Sequence, residues 1–194
     1  MVMLPLGIGT SLLSGCAPLL AGGAVTGAVV SNDRRTAGTV MEDSRIESKA
    51  SDFFGADAQL GSGQSHINTT SYNQMVLLTG EVATDELRKR AEEYVSRIAK
   101  IRHVYNELTV GPNSASSARA NDSLITTKVK GKLISIREVS SSDVKVVTEA
   151  GVVYLMGLFE KSTGDAIAEA VASVGGIVKV VKLFEAQPPT ATGG

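Results

Sequence analysis

Tryptophan is absent from the 194 residues, and the chain has only one cysteine, two histidines and five prolines. A single cysteine excludes an intramolecular disulfide framework and a cysteine-based metal cluster. The two histidines leave little material for a general base. His66 falls at the edge of an expected strand and His103 at the start of another, so neither a Ser-His-Asp triad nor a histidine metal site is expected. Neither sign of charge is in excess, with 19 Lys and Arg against 20 Asp and Glu. That excludes a global basic field for nucleic acid and an acidic tail for basic partners. Glu92 and Glu93 point in different directions on a helix, as solvated partners of Lys89 or Arg97 rather than an acid/base pair. The glycines at 7, 9, 22 and 23 do not open a phosphate loop after a strand. The expectation is a protein that is not an enzyme, with no catalytic residue, no cofactor and no metal. What is present, 43% hydrophobic and 20% charged residues with 20 glycines, is the composition of a globular chain rather than a disordered one.

Residues 2–30 carry no charge. Six glycines and Pro18 interrupt this run, which argues against a transmembrane helix. Residues 4–13 instead have the length of a signal-peptide core and are followed by small residues. Leu13-Ser14-Gly15-Cys16 resembles the bacterial lipobox, which makes residues 1–15 a lipoprotein signal peptide and Cys16 the lipid attachment site. No Lys or Arg precedes the apolar core, a departure that bears on the start codon more than on Cys16. Ala17, rather than Asp, follows Cys16. By resemblance to Gram-negative sorting rules, this favours the outer membrane, with the protein facing the periplasm.

The remainder repeats itself. Asp43-Ser44-Arg45-Ile46 matches Asp122-Ser123-Leu124-Ile125, the segment from Met75 to Gly80 matches that from Val152 to Gly157, and Ile101 to Val104 matches Ile177 to Val180. The offset drifts only from 79 to 76, so two copies of one unit with small loop changes account for it. In each copy Asp or Ser is expected to cap a first helix. Ile125, Val129, Leu133 and Ile136 mark its buried face in the second copy, and Ile46, Ala50, Phe53 and Phe54 in the first. Strands follow at 66–72 and 75–82, turning at Asn73-Gln74, and their counterparts at 144–148 and 152–155 turn through Glu149-Ala150-Gly151. A second helix is expected at 84–99 and 162–174, with Thr84 or Asp85 and Ser162 as caps, and a last strand at about 102–110 and 177–185.

Order, length and the segments Asp33-Arg34-Arg35-Thr36-Ala37-Gly38, Ile125-Thr126-Thr127-Lys128-Val129 and Val153-Tyr154-Leu155-Met156-Gly157 resemble the BON family. Two such units behind a lipobox resemble the dual-BON outer-membrane lipoproteins. The expected fold is α+β: two tandem α-β-β-α-β BON domains, each a small three-stranded mixed sheet packed against two helices. The expected division is a lipidated linker at 16–41, domain 1 at 42–110, a linker at 111–121, domain 2 at 122–186 and a tail at 187–194. The resemblance implies anionic phospholipid, phosphatidylglycerol-like, bound by domain 2, with a role in envelope integrity and cell division. Two positions depart from the pattern: Ala99-Lys100 stands where copy two has Gly175-Gly176, and Leu124 stands where a tryptophan is expected.

The residues themselves separate the copies by charge. The first helix of copy one has Asp43, Glu47 and Asp52 against Arg45 and Lys49, whereas copy two has Asp122 against Lys128, Lys130, Lys132 and Arg137. Leu124, Lys128, Gly131 and Ser135 share a stripe beside the buried face, bordered by Lys132. An apolar tip ringed by lysines suits an anionic membrane surface. The phospholipid-binding candidates are therefore Leu124, Ile125, Lys128, Lys132 and Leu133, with Ile125 and Leu133 either engaging lipid themselves or only positioning the helix. The competing expectation for the lysines is an ordinary solvated face. Asp33-Arg34-Arg35 is read as a charged linker start, or as a segment docking across the first domain or at lipid phosphate. The alternatives for the whole protein are an adaptor for envelope proteins, such as amidase regulators or the outer-membrane assembly machinery, carried by the first domain, and an osmotic-stress chaperone-like BON protein.

Overall fold

A computed structural model describes residues 33–137 and 139–186. Cys16, the lipobox and the tail lie outside the described residues. Among those described the order is α1 (Ala37–Ala56), β1 (His66–Tyr72), β2 (Met75–Val82), α2 (Asp85–Ser96), β3 (His103–Asn106), β4 (Thr109–Val110), α3 (Ser116–Ile134), β5 (Lys145–Glu149), β6 (Val152–Leu158), α4 (Lys161–Ala172) and β7 (Lys179–Glu185). The expected α-β-β-α-β unit occurs twice. In each sheet the second strand is central, antiparallel to the strand before it and parallel to the last. In the first unit the last strand is broken: Leu108 turns into the core between β3 and β4, and both pair with β2.

Each sheet is packed on two helices. Val76, Leu78 and Val82 meet Ile46, Ala50, Leu87, Ala91 and Val95 in the first unit. Val153, Leu155 and Phe159 meet Ile125, Val129, Leu133, Ile167 and Val171 in the second. The opposite faces of the sheets pack against each other, with Tyr72 and Leu77 from the first and Tyr154, Met156 and Leu158 from the second forming a third core. The layers run helices, sheet, sheet, helices. This is why β2 and β6 read as almost unbroken apolar runs, since a central strand covered on both faces has no solvent side to alternate with. Contacts at the rim complete the joint: Asn73 donates to Glu185 at 2.8 Å, Arg102 pairs with Glu185 at 2.7 Å, and the Tyr72 hydroxyl donates to the Asp143 carbonyl at 3.3 Å.

Three expectations are corrected. The first helices begin six residues before Asp43 and Asp122, at Ala37 and Ser116, so part of the expected linker is helix. Thr36 caps α1, its hydroxyl accepting from the Thr39 amide at 3.2 Å. Asp43 and Asp122 are buried mid-helix and reach across to the hairpins instead. Asp43 accepts from the Asn73 and Gln74 amides at 2.8 and 2.7 Å, and Asp122 from Ala150 and Gly151 at 3.0 and 2.8 Å. All four turn residues have positive φ, as a two-residue hairpin of this hand requires, and their amides would otherwise be unpaired. Second, Phe53 is 43% exposed, its ring tilted beside that of Tyr94, while Phe54 fills the core. Third, Ser162 is not the cap of α4, which starts one residue earlier after Glu160 with no side-chain cap bond. Thr84 does cap α2, accepting from the Leu87 amide at 3.3 Å.

Two predictions follow from these contacts. Asp122→Ala strands two hairpin amides, and urea denaturation should show a loss of about 2–4 kcal/mol. Burial, then the Asp33 charge at Tyr72 and the Glu107 carboxylate at Tyr154, push both interface hydroxyls up to about 12. An unfolded tyrosine ionises near about 10. Their raised folded values therefore contribute stability that is present below that pH and lost as pH rises from about 10 towards about 12. Denaturation midpoints measured across that window should fall, and fall less in the Tyr72→Phe/Tyr154→Phe variant.

Candidate functional site: the outward face of the third helix

Helix α3 lies on the outer side of the second sheet. Asp122 is held inward by the β5–β6 turn, and two residues further along a helix is a rotation of about 200°. Leu124 is thereby directed outward and is 61% exposed. Ile125, Val129 and Leu133 face inward, with Ile125 1% and Leu133 0% exposed, so these two candidates hold the helix on the sheet rather than meet solvent. Lys128 is exposed one turn from Leu124, and Lys132 is half-buried at the border of the face. Gly131 has no neighbour within 4 Å of where a Cβ would stand, which keeps the middle of the face low and open.

Sequence reasoning missed Ile134. It is 71% exposed, while Ile136 packs against the core, in keeping with the expected buried face. The signal was available: Ile134 follows Leu133 directly, so it cannot share the 125-129-133 stripe. The hydroxyls of Ser123 and Thr127 donate back to the carbonyls of Arg119 and Ser123, both at 3.0 Å, and so are turned into the helix. The outward face is left with Leu124 and Ile134 as apolar points and Lys128, Lys130 and Lys132 as cations. It can take an anionic, partly apolar surface. It holds no nucleophile paired with a base.

The other singled-out residues are placed elsewhere. His66 Nδ1 is 3.3 Å from Glu81, and His103 meets Tyr105 edge-on at 4.5 Å between ring centres. Glu93 pairs with Arg97 at 3.8 Å, Glu92 accepts from Asn106 at 2.9 Å, and Lys89 pairs with Asp85 at 3.3 Å. Arg34 and Arg35 divide between the units. Arg35 pairs with Asp43 at 2.6 Å and lies 4.1 Å over the Tyr72 ring. Arg34 pairs with Asp143 at 3.2 Å and lies 4.5 Å over the Phe159 ring. Burial acts to raise Asp33, but the Arg35 side chain and amide outweigh it and hold the carboxyl below its usual range. Among the described residues no helix is long and apolar enough to cross a membrane.

The BON domain family model matches residues 42–112 and again 121–188. The chain is 35% identical over 176 residues to the outer membrane lipoprotein DolP of Haemophilus influenzae, covering 91% of each protein. It is 35% identical over 152 residues to a 21 kDa hemolysin of Actinobacillus pleuropneumoniae, covering 78% of each. An uncharacterized protein of Anaplasma centrale is 32% identical over 108 residues, which is 55% of this chain and 68% of that one.

Core and face should separate in a stability measurement. Leu124→Ser and Ile134→Ser should change the unfolding free energy by no more than about 0.5 kcal/mol. Ile125→Ala and Leu133→Ala should each cost about 2–5 kcal/mol.

Proposed function

The chain belongs to the BON family, with two of its domains in tandem, and on that premise we propose that it is a lipid-anchored outer-membrane protein facing the periplasm whose second domain binds anionic phospholipid. The Haemophilus relative, an outer membrane lipoprotein matched over nine-tenths of both chains, supports the address. Cys16 is the attachment point in this reading. Residues 17–32 between it and the described body span at most about 60 Å when extended, enough for either domain to reach the bilayer that holds the lipid.

The observation that carries the lipid reading is Leu124, an apolar side chain 61% exposed with Lys128 one turn away, on a helix face over which no element packs among the described residues. Each lysine near an anionic surface adds about 1 kcal/mol, and the effect fades within a Debye length. Lysine stems can lie along the apolar points while their heads meet phosphates. The leucine in place of the family's tryptophan gives up an interfacial anchor. Ile134 supplies a second apolar point at the other end of the same face. Bound this way, the protein collects where anionic lipid does and supports outer-membrane integrity and envelope maintenance linked to division.

The test is liposome co-sedimentation of residues 17–194 with neutral and phosphatidylglycerol-containing vesicles at two salt concentrations. Binding is expected only with the anionic vesicles and should fall with salt. Lys128→Glu/Lys132→Glu should weaken it at least about tenfold while leaving the circular dichroism spectrum intact. Leu124→Trp should strengthen it. Undiminished binding by the folded double variant rejects this face. No binding to either vesicle would favour a protein adaptor, for which the exposed Met41 and Phe53 on the acidic α1 offer a surface.

A further inference from the structure

We infer that His66, Glu81 and Glu149 form a divalent-cation site of the Zn²⁺ class that clips the first domain to the second. Their ligand atoms all lie within 4.8 Å of one another. His66 and Glu81 are direct cross-strand partners on β1 and β2, and Glu149 ends β5 of the other domain. Gly80 keeps the first two together. Its φ is +112°, and a Cβ there would stand 1.9 Å from the His66 carbonyl oxygen, so only glycine lets the strands close beside the pair.

Charge is the reason to expect an ion. Glu81 and Glu149 are 7% and 9% exposed, and among the described residues no lysine or arginine pairs with either. Glu81 has His66 at 3.3 Å, and Glu149 accepts from the Asn68 amide at 2.9 Å. Two buried carboxylates facing one imidazole are short of positive charge. A divalent ion supplies it, and Asn68 is placed as the outer hydrogen bond that fixes a ligating carboxylate.

Donor type and geometry select the metal. One imidazole and two carboxylates suit Zn²⁺, whereas Mg²⁺ and Ca²⁺ call for six or more oxygens. Tetrahedral bonds of about 2.1 Å put ligand atoms about 3.4 Å apart, so the side chains close by about an ångström on binding. Beside the cluster a cleft of about 260 Å³, lined also by Arg119, Ser123, Thr126 and Thr148, leaves room for water as the fourth ligand. Because two ligands come from the first domain and one from the second, binding draws the domains together, independently of lipid binding at the α3 face.

The experiment is zinc sulfate titration of EDTA-stripped residues 17–194, followed by calorimetry and by thermal denaturation. One ion per chain should bind, and excess zinc should raise the melting temperature. Glu149→Gln and His66→Gln, each checked by circular dichroism, should weaken binding on the order of 100-fold, and magnesium or calcium at the same concentration should do nothing. His66 is the more exposed position, so its variant decides the question where Glu149→Gln misfolds. No zinc binding by the unaltered chain at on the order of 100 μM would overturn the site. Undiminished binding by the folded variants would overturn it as well.

Discussion

The packing of the two sheets against each other, Tyr72 and Leu77 onto Tyr154, Met156 and Leu158, is the contact on which the rest of the structure depends. A unit of about 65 residues buries too small a share of its surface to be more than marginally stable alone. Joining the sheets gives β2 and β6 a second buried face and supplies each unit with core it could not build itself. The joint also fixes what stays outside. With the sheets turned inward, every helix is on the outer layers, and α3 carries its exposed leucine and lysines away from the partner domain. The exposed apolar and basic face of α3 is thus a consequence of where the apolar strands went.

The two copies preserve what folding needs and diverge where solvent begins. The same carboxylate, Asp43 in one and Asp122 in the other, crosses from helix to hairpin and satisfies two amides of a strained turn. A buried charge held by backbone donors costs little while the turn is in place and a great deal without it, which ties helix, turn and sheet into one cooperative unit. Outside this frame α1 is net acidic and α3 net basic. A surface helix tolerates that change because exposed charges contribute little to stability.

The segment before α1 is bound to both units. Adjacent arginines grip different domains, Arg35 on Asp43 and Tyr72, Arg34 on Asp143 and Phe159. The start of the described chain is thereby fixed to both units at once. The cluster of His66, Glu81 and Glu149 is a further cross-domain contact on the same joint.

The repeat, the four strands of the two hairpins and most of the core positions were legible in the sequence, because apolar periodicity and turn residues are local signals. The charge difference between the first helices was legible for the same reason. The helix starts were misplaced because an aspartate before an apolar stripe reads as a cap, and only the fold shows that Asp43 and Asp122 turn inward to a hairpin some thirty residues away. Phe53 and Ile134 depended on how each helix is rotated on its sheet, which no single segment specifies. By itself the sequence determined two α-β-β-α-β units, their family and a basic third helix. The tertiary structure decided that the sheets face each other, that Leu124 and Ile134 face out, and that Glu149 of one domain meets His66 and Glu81 of the other. Those are contacts between residues far apart in the chain, set by burial of two sheet faces at once.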